Sequence, residues 1–578
     1  MEFVDSEANV GIYDDRFIGG LKALVKIAHK EGAAMGIQLL HLGRQWPPGC
    51  KGTPPPELCA PSAVPWAASK QVPKELTIDE IEALEQKFVE AAGRAKQAGF
   101  DLLEIHAAHG YLISQFFSKV SNRRRDAYGG DLEGRTRFAV EIIRRVKEAV
   151  GPDVAVSCRL NGADHVAGGP TLEEMKDIAC VLVDAGFDMI SISAGVYGSY
   201  PTIVPPYDMP KGCYVDYAEG IKRVVDVPVV AVGRIIDPLQ AEEILEKGKA
   251  DLIGLGRSLI ADPEWPNKAM RGETDDIRKC IACNQCLDAV DRDELMCAVN
   301  PTLIEKREME MAPAAKAKEV MVVGGGLAGL EAARTAAARG HRVTLYEERS
   351  ELGGQWRLAA APPYKEGLLD LIRVLHRQAK KTGVKIVLGT RVTAASVEAR
   401  RPDVLILATG ALPTIPPIPG AGEEGVFTAW DVLDRRCDAG KRVLVIGGSG
   451  VGLETADLLS EQGAAVTVVE LERHVGRDIS STVRWHLLRR LRLKKVRILT
   501  LAEVKRIGKG EVVLAPGKGD KTLGGFDSII LTAGARSRNE LSSEVREKVA
   551  EVYVIGDALE PRQGADALRE GNRIGRQI

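Results

Sequence analysis

Between residues 20 and 270, short apolar runs alternate with amphipathic stretches of helical period. The runs fall at 35–40, 101–105, 154–159, 189–193, 229–232 and 252–255. Each leads into a polar or glycine-rich loop and then a helical pattern, as at 78–98, 135–150 and 172–185. Repeated strand–helix units predict parallel strands. Over this length the leading closed α/β arrangement is a TIM (β/α)8-type barrel, and an open doubly wound sheet is the alternative. Six units are clear, and residues 2–6 could be the remnant of another strand. Met1 is therefore expected inside a barrel lacking its first strand or strands.

After a stretch rich in Met, Ala, Glu and Lys at 304–318, the pattern changes. EVMVVGGGLAGLEAARTAAARGHRVTLYEE reads as a strand, the turn Gly324-x-Gly326-x-x-Gly329, a helix and a strand ending at Glu347. The glycines allow a tight turn and close approach to a pyrophosphate, and Glu347 can accept from a ribose hydroxyl. KRVLVIGGSGVGLETADLLSEQGAAVTVVE repeats this unit with Gly447, Gly452 and Glu470, but with Ser449 at the middle glycine position. Glu470 favours NADH by repelling a 2′-phosphate, while Arg473 lies close enough to serve NADPH instead.

The 578 residues predict three or four domains. A net charge of −2 gives no electrostatic ground for nucleic acid or an anionic membrane surface. MEFVDSEANV lacks the basic and apolar regions of a signal peptide, and no apolar run approaches the roughly 20 residues of a membrane span. Six of ten cysteines are scattered, a usage that fits a reducing cytoplasm. Homo-oligomerisation is compatible with all of this.

The other four cysteines lie together in KCIACNQCLDAVDRDELMCAVNP. Cys280, Cys283, Cys286 and Cys297 are spaced C-x2-C-x2-C-x10-C. Three compact thiolates and a longer return suit an iron–sulfur cluster better than zinc, which more often takes paired C-x2-C knuckles or histidines. Zinc remains the alternative.

Functional groups of a parallel barrel sit at the carboxyl ends of its strands, where this chain places its unusual residues. Gln38 and His41 close the first run, His106, His109 and Tyr111 follow the second, and Arg159 ends the third. Gly233-Arg234 and Gly256-Arg257 close the last two, offering N–H groups and guanidinium forks suited to a phosphate.

HLGR (41–44), HAAHGY and SNRRRDAYGGD resemble the old yellow enzyme superfamily of FMN-dependent ene reductases. With the cysteine segment and the second half, the chain resembles its multidomain branch: dienoyl-CoA, enoate and bile-acid-type reductases and trimethylamine dehydrogenase. The resemblance implies FMN contacted by Gln38 and Arg159, with Gly233, Arg234, Gly256 and Arg257 around its phosphate. It also implies that His106 and His109 bind a substrate carbonyl oxygen and that Tyr111 donates a proton. VLILATGA (404–411) and VYVIGDA (552–558) resemble the paired signatures of two-dinucleotide flavoproteins, which implies FAD with Asp557 near its ribityl phosphate and Gly354 near its adenosine half.

The resulting expectation is an NADH-dependent reductase of α,β-unsaturated carbonyl compounds, with electrons passing from NADH to FAD, a [4Fe–4S] cluster and FMN. Dienoyl-CoA reductases carry a further histidine after the sixth strand. Here the matching stretch has none, and Tyr197 is the nearest polar candidate, which tilts the reading toward enoate or steroid substrates. Amine dehydrogenation, or an FMN-less electron-transfer remnant, are the alternatives. The expected domains are a barrel at 1–270, a cluster segment at 271–315, an FAD unit at 316–421 and 533–578, and an NAD(H) unit at 422–532.

Overall fold

The computed structural model describes residues 10–45, 57–66, 71–290, 292, 294–303, 311–515 and 521–578. Two compact units divide the chain: the described part of 1–205 with 209–256, and 206–208 with 257–578.

In the first unit the apolar runs become strands β1 (Gly36–Leu39), β2 (Leu102–Ala107), β3 (Ala155–Asn161), β4 (Met189–Ser193), β5 (Val229–Ala231) and β6 (Leu252–Ile253). They form one sheet in the order β1-β2-β3-β4-β5-β6, with every pair parallel. Strands that neighbour each other in sequence are neighbours in space, as in a barrel; a doubly wound sheet would reverse its order partway. The expected strand remnant at 2–6 lies outside the described residues.

Helices α1 (Ile78–Ala98), α2 (Leu132–Val150) and α3 (Leu172–Asp184) fill the crossovers. The first shows how local chemistry sets the limits. Thr77 and Glu80 form a reciprocal capping box at its start, and Gly99, at φ 93°, closes it in the left-handed region that glycine tolerates. Its apolar stripe, Ile81, Leu84, Phe88, Ala92 and Ala95, is buried. Val156, Cys158 and Leu160 on one face of β3 and Ser157 on the other are wholly buried, as expected of a strand covered on both faces.

The second unit holds two parallel sheets. One is built from β7 (Glu319–Val323), β8 (Arg342–Tyr346), β9 (Lys385–Val387), β10 (Val404–Leu407) and β16 (Glu551–Val554), in the order β9-β8-β7-β10-β16. The other, inserted between β10 and β16, contains β11 (Val426–Thr428), β12 (Arg442–Ile446), β13 (Ala465–Val469), β14 (Arg497–Leu499) and β15 (Ser528–Leu531), in the order β11-β15-β12-β13-β14. Helices α4 (Leu327–Ala338) and α5 (Gly450–Glu461) follow β7 and β12. The chain enters and leaves the inserted sheet through an antiparallel two-stranded ribbon, Ala411–Pro413 against Ala535–Ser537.

Candidate active site

Strand β2 delivers His106 to the carboxyl end of the barrel, where it pairs in register with Arg159 of β3. The chain then turns sharply. His109 takes φ 59° and Gly110 φ 77°; a left-handed histidine costs roughly 1–2 kcal/mol, and it folds the second imidazole back toward the first. Nδ1 of His106 accepts the Ala108 N–H at 3.2 Å, which assigns the neutral ring's proton to Nε2. That Nε2 lies 3.2 Å from His109 Nδ1, and His109 Nε2 lies 2.7 Å from Ser193 Oγ at the end of β4. The assignment gives a directed chain: His106 donates to His109, and His109 donates to Ser193.

Both imidazoles are buried, and burial together with the nearby Arg159 guanidinium lowers the pKa of His106 to about 3. His109 is pushed well below the ordinary histidine value by burial, His106 and Arg159. Both are therefore neutral N–H donors at working pH. Tyr111 stacks edge-on against His106 with centroids 4.7 Å apart, and its hydroxyl lies 3.1 Å from that of Tyr197. Trp66 meets Tyr197 edge to face at 5.5 Å. Burial raises the Tyr111 pKa, and the Tyr197 hydroxyl partly offsets this.

The remaining barrel candidates are more dispersed. Gln38 is exposed on β1, and its amide donates to Glu104 Oε1 at 2.5 Å. Arg159 donates to Ser191 Oγ at 3.4 Å. Gly233 has φ 104°, and a Cβ there would stand 2.7 Å from the Tyr214 ring, so only glycine fits. Arg234 donates one N–H to the Met209 carbonyl. A Cβ on Gly256 would meet nothing within 4 Å, so its backbone is open to a close ligand. Arg257 opens a short helix of the second unit and donates to Asn284 Oδ1.

The cysteine segment is shaped around its sulfurs. Ala282 and Asn284 adopt φ 49° and 57°, turning the chain tightly between thiols. Backbone N–H groups point at all four: Ala282 to Cys280, Gln285 to Cys283, Leu287 to Cys286, and Val299 and Asn300 to Cys297. Burial first, and then the neighbouring sulfurs, push Cys283 up to about 12 and Cys297 up to about 11. Among the described residues no three His, Cys, Asp or Glu side chains form a group that could hold a metal ion. Backbone N–H donors to each of the four thiols suit an iron–sulfur cluster, whose charge such donors stabilise. Arg278 anchors the segment at both ends. It donates to the Val299 carbonyl at 3.0 Å and to Glu331 of α4 at 2.8 Å, and all of these groups are buried.

In the FAD-type unit, Gly324 and Gly329 make the tight turn. A Cβ on Gly329 would sit 1.9 Å from the Gly324 carbonyl oxygen. Glu347 accepts the Gly325 N–H at 2.7 Å. A cavity of about 710 Å³ opens here, lined by Gly326, Gly354, Thr409 and Asp557 among others, large enough for a dinucleotide to bury much of its surface. Glu470 in the inserted unit likewise accepts the Gly448 N–H, at 2.5 Å. A Cβ on Gly452 would meet the Gly447 carbonyl oxygen at 2.0 Å.

A parallel barrel with a buried imidazole–tyrosine mouth, a four-sulfur segment and two dinucleotide folds defines a multicentre flavin oxidoreductase. Residues 4–276 match the NADH:flavin oxidoreductase / NADH oxidase family, and 318–571 match the pyridine nucleotide-disulphide oxidoreductases. The chain belongs to the NADH:flavin oxidoreductase / NADH oxidase family, in its multidomain old yellow enzyme branch. The NADH oxidase of Thermoanaerobacter brockii is 42 % identical over 577 residues, covering 98 % of this chain and 88 % of the relative. The cinnamate reductase of Clostridium sporogenes is 35 % identical, over 94 % of this chain and 84 % of its own. A solved 2-naphthoyl-CoA reductase complex matches with a TM-score of 0.93 and 33 % identity, covering 98 % of this chain and 88 % of that one. FMN, FAD and NADH are accordingly the chain's cofactors, and a [4Fe–4S] cluster is consistent with the family.

Several groups at the site escaped the sequence reading. Asn161, at the very end of β3, accepts the His109 N–H at 3.3 Å and donates to Asp164 at 2.8 Å and to the Gly195 carbonyl at 3.0 Å. Burial pushes Asp164 up to about 6. Ser193 and Arg278 were also missed. The available signal was position alone, at strand ends and beside Cys280.

Proposed function

We propose that the protein reduces a C=C bond conjugated to a carbonyl, using NADH. The observation that carries this reading is the buried, neutral His106–His109 pair beside Tyr111 at the barrel mouth. Relatives named for cinnamate and 2-naphthoyl-CoA reduction support it. Gln38, Arg159, Gly233, Arg234, Gly256 and Arg257 would hold FMN, the four cysteines the cluster, and the Gly324–Gly329 turn with Glu347, Gly354 and Asp557 the FAD. The Gly447–Gly452 turn and Glu470 would hold NADH. When bound, these groups supply the two electrons that leave NADH and reach the alkene.

The chain's own residues supply position, polarity and a proton. Negative charge grows on the carbonyl oxygen as the β-carbon is reduced, and an imidazole N–H aimed at that oxygen is worth ~3–4 kcal/mol. In the resting chain the two imidazole N–H groups go to His109 and Ser193; a carbonyl oxygen would replace one of these acceptors, with no cationic imidazole required. The Tyr111 O–H bond then breaks as the α-carbon–H bond forms, and the Tyr197 hydroxyl stabilises the phenoxide left behind. Uncharged donors suit a carbonyl oxygen; they give a cationic amine no counter-charge, which disfavours amine oxidation.

The experiment is anaerobic. Purified protein is assayed for FMN, FAD, iron and sulfide, then for NADH oxidation with cinnamate, an enoyl-CoA and a 3-oxo-4-ene steroid. Turnover with at least one of them, by protein holding both flavins and iron, is expected. Failure with all three by fully loaded protein would overturn the proposal.

A further inference from the structure

The two dinucleotide folds of the second unit repeat each other at a constant offset of 123 residues: Gly325 to Gly448, Glu347 to Glu470, Gly353 to Gly476. The correspondence extends to individual contacts. The Gly353 N–H donates to the Gly325 carbonyl at 2.8 Å, and the Gly476 N–H donates to the Gly448 carbonyl at 2.7 Å. A Cβ on Gly325 would meet Leu352 at 2.5 Å, and one on Gly448 would meet Val475 at 2.7 Å. In each fold the segment after the second strand is strapped across the glycine turn.

The repeat breaks two residues past the strap. The FAD-type fold has Gln355, whose side chain bonds to Asp557 instead. The inserted fold has Asp478. Its two carboxylate oxygens accept the Gly450 N–H at 2.9 and 3.0 Å, at the first residue of the 12-residue α5. In dinucleotide folds this N–H belongs to the group that meets the pyrophosphate. Two anions cannot share it.

We infer that Asp478 is an internal competitor of the NADH pyrophosphate, displaced whenever the nucleotide binds, and that it thereby sets NADH affinity. This rests on the reading of the Glu470 unit as the NADH site. Binding exchanges one intramolecular carboxylate contact for a diphosphate one, so the apparent dissociation constant is the intrinsic one divided by the fraction of time the turn stands open.

The test uses the FAD-loaded holoenzyme and ADP-ribose, which carries the pyrophosphate without redox chemistry, with adenosine as the control lacking phosphate. Asp478→Ala should tighten ADP-ribose binding about tenfold if the turn is open roughly a tenth of the time. Asp478→Asn should tighten it less, and adenosine affinity should not move. Should the alanine variant not fold, the asparagine variant decides alone. Unchanged or weaker ADP-ribose binding in the folded variants would overturn the proposal and leave Asp478 a helix cap. In the otherwise native chain, Glu470→Ala should weaken ADP-ribose binding. No effect there would overturn the reading of the site itself, and the proposal with it.

Discussion

The hydroxyls of Tyr111 and Tyr197 lie 3.1 Å apart, although 86 residues separate them in the chain. A proton leaving Tyr111 therefore leaves a phenoxide that already faces a donor. Tyr111→Phe should lower alkene reduction about 10²–10⁴-fold and spare NADH-driven reduction of ferricyanide. Burial holds the Tyr111 pKa above the ordinary value of 10, so the basic limb of the rate profile should lie above pH 10. Tyr197→Phe removes the stabilising donor and should move that limb higher still while lowering the plateau. A limb that stays in place would separate the two residues functionally.

The imidazoles make acid stability a second readout. The folded pKa of His106, about 3, lies below its unfolded value near 6.5. The unfolded chain thus binds the extra proton, and the stability this confers is full above pH 6.5 and lost progressively as pH falls toward 3. His41, half-buried and lowered to about 3 chiefly by desolvation of its ring, has the same sign. Each should contribute a slope of about 1.4 kcal/mol per pH unit within that window. Asp164 runs the other way: its contribution is present below pH 3.8 and lost as pH rises through 6. Denaturant titrations between pH 7 and 4.5 should show His41→Gln and His106→Gln flattening the acid loss.

Removing a sulfur should separate the two halves of the reaction. Cys283→Ser is expected to lose most iron and sulfide and to lower alkene reduction at least roughly a hundredfold, while NADH still bleaches the FAD absorbance. Full alkene turnover by the iron-depleted variant would contradict a path through the cysteine segment.

Glu331 is wholly buried, and its carboxyl is held down at about 2 by Arg278, Arg334 and the Asn572 amide against the burial that opposes it. Its stabilisation is complete above the unfolded pKa near 4.5 and disappears as pH falls through 2. Glu331→Ala strands the Arg278 charge and should cost about 3–5 kcal/mol. Because Arg278 also holds the Val299 carbonyl, iron retention should fall with it. Iron content and urea midpoints check both.

Glu470 should govern nucleotide choice. Its carboxylate accepts the Gly448 N–H and, through its other oxygen, the Glu472 N–H at 2.7 Å. Glu470→Ala should weaken NADH about tenfold, relieve repulsion of the 2′-phosphate, and narrow the NADH-over-NADPH ratio in kcat/KM.

What was legible in the sequence depended on whether the chemistry is local. Thr77, Glu80 and Gly99 mark both ends of α1, and the expected 78–98 is the observed helix. The apolar runs placed the six barrel strands found among the described residues, because buried parallel strands need continuous apolar stretches. Strand ends were less legible: β3 runs on to Asn161, two residues past the expected end at Arg159, since polar Asn161 belongs to the mouth and resembles a loop in the sequence. Contacts between distant segments left no trace. Nothing near Asp478 announces Gly450, and nothing in Ser193 announces His109. The directed His106–His109–Ser193 chain likewise follows from a left-handed turn that the H-x-x-H spacing does not encode.

The ribbon joining the inserted sheet to its host has one further consequence. Entry and exit strands are laced together by backbone bonds, so neither lead can twist alone. Any reorientation of the inserted lobe would therefore carry both leads together.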